Sequence, residues 1–556
     1  MPAPNAPTPT LAQLISDILL RKDVILQARR DMASALRAFA KLAGRQPSDI
    51  IADPAVIRCI AAETPWKLAG YSKARWANIL SSLSRAMALA GVKVHRQRRN
   101  YQLTPAWEAR LAPLQRRDRD EVRRFAGWCS ALGVVPVEVT SETFDQFLRY
   151  MEEQSIQRNP RERVHVARRA WNRAIASSGS PFVAMPAPQP VARAAVRWID
   201  CSQSMQADVA AYAEWVTAKD PFDGERKPIK QVTLTNYLTR LRVLLTALID
   251  LKMPLESFTS LSALVDPALI KRGLEHRLGK RELDDTRRRD LHGILVPVLS
   301  VARYLKVDDA QLAQLRSMAK KMEVRAQGMC ERNQLRLRPL KAPSVRNKLL
   351  RLPLAVASDL EKVSNPTVRQ AQRMQMAVLL EILLHVPMRI RNAAALDMAS
   401  TLVRPLPGSK GKWHIAFPAV SVKNKVPIDA ALNHRTGQMI ARYVDVFRNV
   451  LVVQPTTSLF IGQNGKPKGP SALSKQLARF VWREAGIRVH AHLMRHLAAY
   501  LFLLVNPGQF EAVRRILGHK NLDTTMAFYE GQQTDNAFEC YDATVERLRN
   551  EDEDRL

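Results

Sequence analysis

Ahead of residue 340 the chain is dominated by apolar residues at helical spacing, which constrains it to packed amphipathic helices rather than sheets. Met32, Leu36 and Phe39 share one face of the stretch Arg29–Phe39. The pattern is echoed by Val122, Phe125 and Trp128 in Asp120–Trp128, and by Val209, Tyr212 and Trp215 in Asp208–Trp215. Each has a basic amphipathic companion downstream, over Arg75–Leu83, Val164–Trp171 and Tyr237–Leu244. Two readings stand open. Helix pairs repeated three times would make a modular architecture, whereas amphipathic helices that only look alike would make none.

The 556 residues carry a net charge of +33, spread along the chain with clusters such as Arg96-Gln-Arg-Arg99, Arg116-Arg117 and Arg287-Arg-Arg289. Such charge calls for a polyanionic partner, foremost DNA, because neutralised phosphates release counterions and give strong, salt-sensitive binding. No uninterrupted apolar run reaches the ~18 residues of a membrane span. Nor does Met1-Pro-Ala-Pro-Asn5 open a secretory leader. A cytoplasmic protein without a membrane partner is expected. The five cysteines (Cys59, Cys129, Cys201, Cys330, Cys540) are far apart and in no metal-ligand spacing, so they read as reduced, mostly packing residues.

The last hundred or so residues hold the chemistry. His492 and Arg495 are three apart in an apolar helical stretch and therefore point the same way. An arginine fork matches two phosphate oxygens, and a histidine can donate a hydrogen bond or move a proton near neutral pH. His519 follows Gly518, which permits a sharp turn, and Tyr529 comes about one helical segment later. A tyrosine oxygen attacks only once it loses its proton, so this one needs neighbouring cations. The alternative is a metal site on His490, His492 and His496. However, the general-base Glu of a zinc-protease helix would fall at Leu493, and no acidic third ligand is evident nearby. Neither metal nor cofactor is expected.

With this order and spacing the segment resembles the catalytic domain of the tyrosine recombinase (phage integrase) family. That family's pattern is Arg, a hairpin Lys, His-x-x-Arg, His or Trp, then the Tyr nucleophile. The upstream members are present in order. Glu381-Ile-Leu-Leu-His-Val-Pro-Met-Arg389 resembles the first arginine box, an apolar helix that breaks before the arginine, with Arg391 as a solvated or backbone-phosphate neighbour. Trp413–Pro418 and Ala419–Ile428 read as two short strands, and the resemblance assigns the catalytic lysine to Lys423, with Lys425 as the alternative. In many members the tyrosine comes one position earlier, where Phe528 stands here. Tyr529 is retained as nucleophile, with Tyr541 as fallback.

The resemblance implies a mainly α fold with a small β-sheet in the catalytic domain: N-terminal helical, SAM-like DNA-binding units followed by a C-terminal α+β catalytic domain. The expected segments are 1–110 and 111–195 as helical units and 196–335 as the core-binding domain. They are followed by 340–535 as the catalytic domain and 536–556 as a tail helix. Boundaries fall at Met185-Pro-Ala-Pro-Gln-Pro190 and at the basic stretch Arg336–Pro343, read as linkers. The implied activity is site-specific DNA recombination through a 3′-phosphotyrosyl link, serving a mobile element. The implied catalytic set is Arg389, Lys423, His492, Arg495, His519 and Tyr529, and the partners are double-stranded DNA and further protomers, or related recombinases, in a tetramer on paired sites. Two alternatives share these residues: a type IB topoisomerase, and a DNA-binding protein that keeps the fold without catalysis.

Overall fold

The computed structural model describes residues 8–94, 102–178, 196–219, 227–279, 281–324, 328–406, 411–462, 465–522, 525–526 and 541–549. The chain divides into two compact bodies, residues 1–187 with 327–556, and residues 188–326.

A four-helix order recurs three times. The first module is α1 (Leu11–Leu20), α2 (Leu26–Ala43), α3 (Pro54–Glu63) and α4 (Lys73–Leu89). The second is α5 (Pro105–Leu111), α6 (Arg116–Ala131), α7 (Ser141–Gln154) and α8 (Pro160–Ser178). The third is α9 (Gln203–Thr217), α10 (Gln231–Asp250), α11 (Pro267–Leu278) and α12 (Asp285–Tyr304), extended by α13 (Asp309–Met322). In each, the second helix packs against the fourth: α2 on α4, α6 on α8, α10 on α12.

The turn after the second helix makes the repeat readable. A left-handed residue (Gly44, Gly133, Lys252) is followed by Pro47, Pro136 or Pro254, a 3-10 turn, and a buried apolar residue, Ile50, Val139 or Phe258. The third helix then starts from a side-chain cap, Asp53, Thr140 or Asp266. On this register Asp208–Trp215 belongs to a first helix, α9, whereas Arg29–Phe39 and Asp120–Trp128 lie on second helices. The sequence echo is therefore one helix out of step in the third module. Amphipathic periodicity reports a face, not which helix bears it, and the proline turn supplies that information.

Modules one and two meet where Arg58 donates to the Ser155 carbonyl (2.5 Å) at the C-terminus of α7. Module one also touches the C-terminal domain, where Lys348 Nζ donates to the Lys67 carbonyl (2.5 Å) and Leu68 packs on its core.

That domain comprises α14 (Glu331–Leu337), α15 (Pro343–Asp359), α16 (Val368–His385), α17 (Ile390–Ala394), β1 (Leu402–Val403), β2 (His414–Phe417), β3 (Ile428–Ala431), α18 (His434–Arg442), α19 (Pro470–Ala485), α20 (Ala491–Val505) and α21 (Phe510–Leu517). Helix α16 runs through the centre of one core, buried over most of Ala371–Leu383. The basic stretch read as a linker is helical instead. Leu337 and Leu340 are buried in this core, so apolar anchoring fixes the stretch to the domain rather than leaving it a free linker. The sheet is antiparallel in the order β1-β2-β3, with His414 opposite Ala431 and Phe417 opposite Ile428.

The second strand of the hairpin does not occupy 419–428 as expected. Residues Ala419–Ser421 form a 3-10 turn and β3 begins only at Ile428. Pro418 and Pro427 cannot donate to a ladder, and Lys425 is left-handed (φ 55°), so the segment between them loops out.

Residues 541–549 are helical, with Tyr541 (65%) and Leu548 (53%) exposed. The four cysteines among the described residues are free; Cys129 and Cys201 are buried, while Cys59 and Cys330 are exposed rather than packed. Among the described residues no helix is long and apolar enough to cross a membrane.

Candidate active site

Helix α16 ends at His385, and Val386-Pro387-Met388 carries the chain to Arg389, the N-cap residue of α17. Proline cannot continue the helix, so the break falls before the arginine and turns it inward. Arg389 lines a cavity of about 260 Å³ together with Asn392, Arg495, Arg515, Gly518 and residues of the β2–β3 loop. Its half-buried guanidinium has no hydrogen-bond or ion-pair partner among the described residues, and burial lowers its pKa. A cation partly desolvated in this way gains from any anion that enters. Arg391 is exposed on α17 and does not line the cavity.

Arg495 reaches the same cavity from α20 and is only 5% exposed. Its guanidinium donates to the carbonyls of Pro387 (2.6 Å) and Leu517 (2.5 Å). It therefore ties the break before Arg389 to the end of α21 while facing the cavity.

His492, one turn earlier on α20, is exposed. Nearby protein atoms, then the charges of Arg495 and Arg389, still hold its pKa below the usual imidazole range. The His496 ring stands at 82° to it, centroids 5.0 Å apart, and is buried. Burial, and then His492 and Arg495, push His496 down to about 4. His490 serves as N-cap of α20, its Nδ1 accepting from Leu493 N. Among the described residues no group of three or more His, Cys, Asp and Glu side chains is arranged to hold a metal ion.

His519 follows Gly518, which closes α21 in the left-handed conformation (φ 59°) that favours glycine. Its Nδ1 lies 3.0 Å from the hydroxyl of buried Thr525. Burial, followed by Arg495 and Arg389, lowers its pKa to about 4, so the ring is neutral at pH 7. In the tautomer in which the Thr525 hydroxyl donates to Nδ1, the ring proton sits on Nε2 and can be donated to an anion.

Lys423 and Lys425 are exposed on the β2–β3 loop. The loop is fastened by Asn424, whose Nδ2 donates to the Gly518 carbonyl (2.8 Å), and Val426 packs over Gly518. Tyr529 lies outside the described residues. The structure thus brings Arg389 and Arg495 into one cavity, with His492 and His519 close enough to be shifted by their charges, and the Lys423 loop tied to its rim.

Four contributors escape a reading of the sequence. Thr525 is visible there only as part of a Thr-Thr pair. Asn424 stands next to a lysine with the more conspicuous chemistry. Arg515 lines the cavity, and Glu381 is buried on α16, accepting from Thr436 Oγ1 (3.0 Å) with His385 at 3.2 Å. A lone acid in an apolar helix is a detectable signal, since such a group is buried only with partners.

Residues 355–535 match the model of the phage integrase family. The tyrosine recombinase XerC of Chromohalobacter salexigens is 28% identical over 173 residues, covering 31% of this chain and 53% of that protein. The XerC of Pseudomonas fluorescens is 34% identical over 74 residues, covering 13% and 24%. The chain thus spans about half the length of the first relative and a quarter of the second. Among solved structures, a XerH site-specific recombinase bound to its difH substrate, in a pre-cleavage complex, gives a TM-score of 0.35 at 17% identity. It covers 56% of this chain and 79% of that one. A XerA recombinase gives 0.25 at 15%, covering 58% and 92%.

Proposed function

Residues 355–535 are a phage-integrase-family domain, and from that premise we propose that the chain is a site-specific DNA recombinase acting through a 3′-phosphotyrosyl intermediate. The observation that carries the reading is the half-buried guanidinium of Arg389, without a partner among the described residues, sharing a cavity with Arg495. A phosphodiester supplies the anion that Arg389 lacks among the described residues.

In the proposed reaction Tyr529 attacks the scissile phosphate, forming the O–P bond as the 5′ oxygen leaves. Arg389 and Arg495 hold the nonbridging oxygens and offset charge that grows in the pentavalent transition state. His492, its pKa lowered by nearby protein atoms and then by Arg495 and Arg389, assists proton transfer at the tyrosine. Lys423 protonates the leaving 5′ oxygen, and His519 donates Nε2–H to the phosphate. Attack by the 5′ hydroxyl of a partner strand reverses the step. The phosphotyrosyl bond conserves the energy, so no ATP is required. We assign the helical modules to further phosphate contacts, the assembly to a tetramer on paired sites, and the role to integration or excision of a mobile element.

The test is covalent trapping. Full-length protein is incubated with fragmented DNA of its source and denatured, and the protein-linked DNA is recovered and sequenced. One enriched site supports recombination. Adducts scattered without site preference, with relaxation of any supercoiled plasmid, would favour a topoisomerase, and no adduct at all would leave a DNA-binding protein.

A further inference from the structure

The end of α21 joins the site together through its backbone. A helix leaves its last four carbonyls without intrahelical donors, and here those of Leu517 and the C-cap Gly518, with that of His519 just beyond, are taken by side chains. Leu517 O accepts from Arg495 (2.5 Å), Gly518 O from Asn424 (2.8 Å), and His519 O from Arg514 (2.9 Å). Arg514 is itself fixed by Glu511, through Nε at 2.6 Å and Nη2 at 2.7 Å. Two of the three donors thus hold the turn from the helices that build it. The third comes from the loop that carries Lys423.

Apart from the buried Val422 side chain, seated in the domain core, and Val426 packed over Gly518, that loop has little else to hold it. Ser421, Lys423, Lys425 and Pro427 are exposed, and the Lys425 N–H bonds back to Val422 within the turn. Among the described residues, the Asn424 amide makes the only hydrogen bond from residues 419–427 to another element. An exposed lysine on a four-carbon stem samples many positions, and proton transfer requires it within hydrogen-bond reach of the leaving oxygen.

We propose that Asn424 is a positioning residue for the proton-transfer step: its bond to the Gly518 carbonyl latches the Lys423 loop onto the turn bearing His519. Donor loop and phosphate-binding turn then move as one piece. The inference rests on Lys423 as the general acid.

The experiment uses the full chain and suicide substrates built on the trapped site, with either oxygen or sulfur at the leaving 5′ position. Sulfur departs without needing a proton. Lys423→Ala should slow cleavage of the oxygen substrate by a factor of about 100 to 10,000. Asn424→Ala should slow it about tenfold, the order of one net hydrogen bond, with DNA affinity unchanged. Sulfur should restore both variants, and Lys423→Ala with Asn424→Ala should be no slower than Lys423→Ala alone. Asn424→Gln, which keeps the donor, should recover part of the loss. Should Asn424→Ala misfold, Asn424→Leu fills nearly the same space without a donor and carries the same comparison. A defect that persists with sulfur, or that multiplies in the double variant, overturns the proposal in favour of support for the His519 turn. Weakened affinity overturns it in favour of a direct bond to DNA. Lys423→Ala left unrescued by sulfur removes the acid assignment itself and the latch with it, a result visible without any Asn424 variant.

Discussion

Helix α16 carries one closed polar network and ends beside one open cavity, and the two treat buried charge in opposite ways. Within the helix, Gln375 is fully buried and donates to Tyr443 OH (2.7 Å) and the Ile461 carbonyl (3.2 Å). Tyr443 in turn donates to the Leu459 carbonyl, and Lys468 donates to the Gln375 oxygen. Burial lowers Lys468 to about 8, yet its ammonium has that partner. Past the helix end, Arg389 has none among the described residues. A buried polar group without a partner costs free energy that a fold avoids unless a ligand repays it. The closed network therefore speaks of stability and the open one of function.

The contrast breaks most completely if the cavity serves some nucleophile other than Tyr529. Tyr529→Phe should abolish the covalent protein–DNA adduct while leaving affinity nearly unchanged, because one hydroxyl is removed from a surface governed by phosphate neutralisation. Denaturing gels with labelled DNA read this directly. An adduct that survives in Tyr529→Phe and vanishes in Tyr541→Phe would move the nucleophile to the exposed helix at 541–549.

Next come the two arginines, which differ in their bonding. Arg389→Ala removes a cation that has no partner among the described residues and should cut the single-turnover rate by a factor of about 100 to 1,000 with little change in Tm. Arg495→Ala should cost a similar factor and also destabilise the domain. The carbonyls of Pro387 and Leu517 lose their donor, at about 1–3 kcal/mol for each that stays unsatisfied. Equal Tm values for the two variants would contradict the geometry.

Removing residues 1–190 withdraws two basic modules and should flatten the dependence of log affinity on log salt, by about 0.9 for each phosphate that the shortened chain no longer neutralises. Cleavage of a suicide substrate should persist. An unchanged slope would mean that these modules bind something other than DNA. Gln375→Leu sharpens the other side of the comparison. It strands Lys468 and the Ile461 carbonyl, so stability should fall by about 1–3 kcal/mol for each group left unpaired, measured by denaturant unfolding, while the rate of folded protein stays the same.

How much of this is legible in the sequence differs between the same two regions. Arg389, His492, Arg495 and His519 declare themselves there because their chemistry fixes residue type and order. The helix break at Pro387 is equally plain. The hairpin misleads because Val and Ile at strand-like spacing conceal what Pro418, Pro427 and a left-handed Lys425 impose. The three modules show through their apolar faces, but their register stays hidden until the turns at Pro47, Pro136 and Pro254 align them. Partnerships across long separations, such as Asn424 with Gly518 or Lys468 with Gln375, leave no local pattern at all. They arise only when tertiary packing brings an orphan carbonyl or amide within reach.

The smallest expected effect is a loss of stability in mild acid. His490, His496 and His519 are each held to about 4 in the folded protein, against an ordinary value of 6.5. The unfolded chain therefore takes up protons first as pH falls. Their contribution is fully present above pH 6.5 and is lost progressively as pH falls toward 4. For His496, which is 5% exposed, the loss between neutral pH and about pH 5 is on the order of 2 kcal/mol, a few degrees in Tm. His496→Gln should be less sensitive to pH over this window, whatever its Tm at pH 7. Bound DNA should oppose the loss, since phosphate beside His492 and His519 favours their protonated forms. Thermal melts of the two proteins from pH 7 to 5, with and without DNA, separate these effects. If the two lose stability equally in acid, then His496 is not the buried, neutral member of the cluster that its surroundings make it.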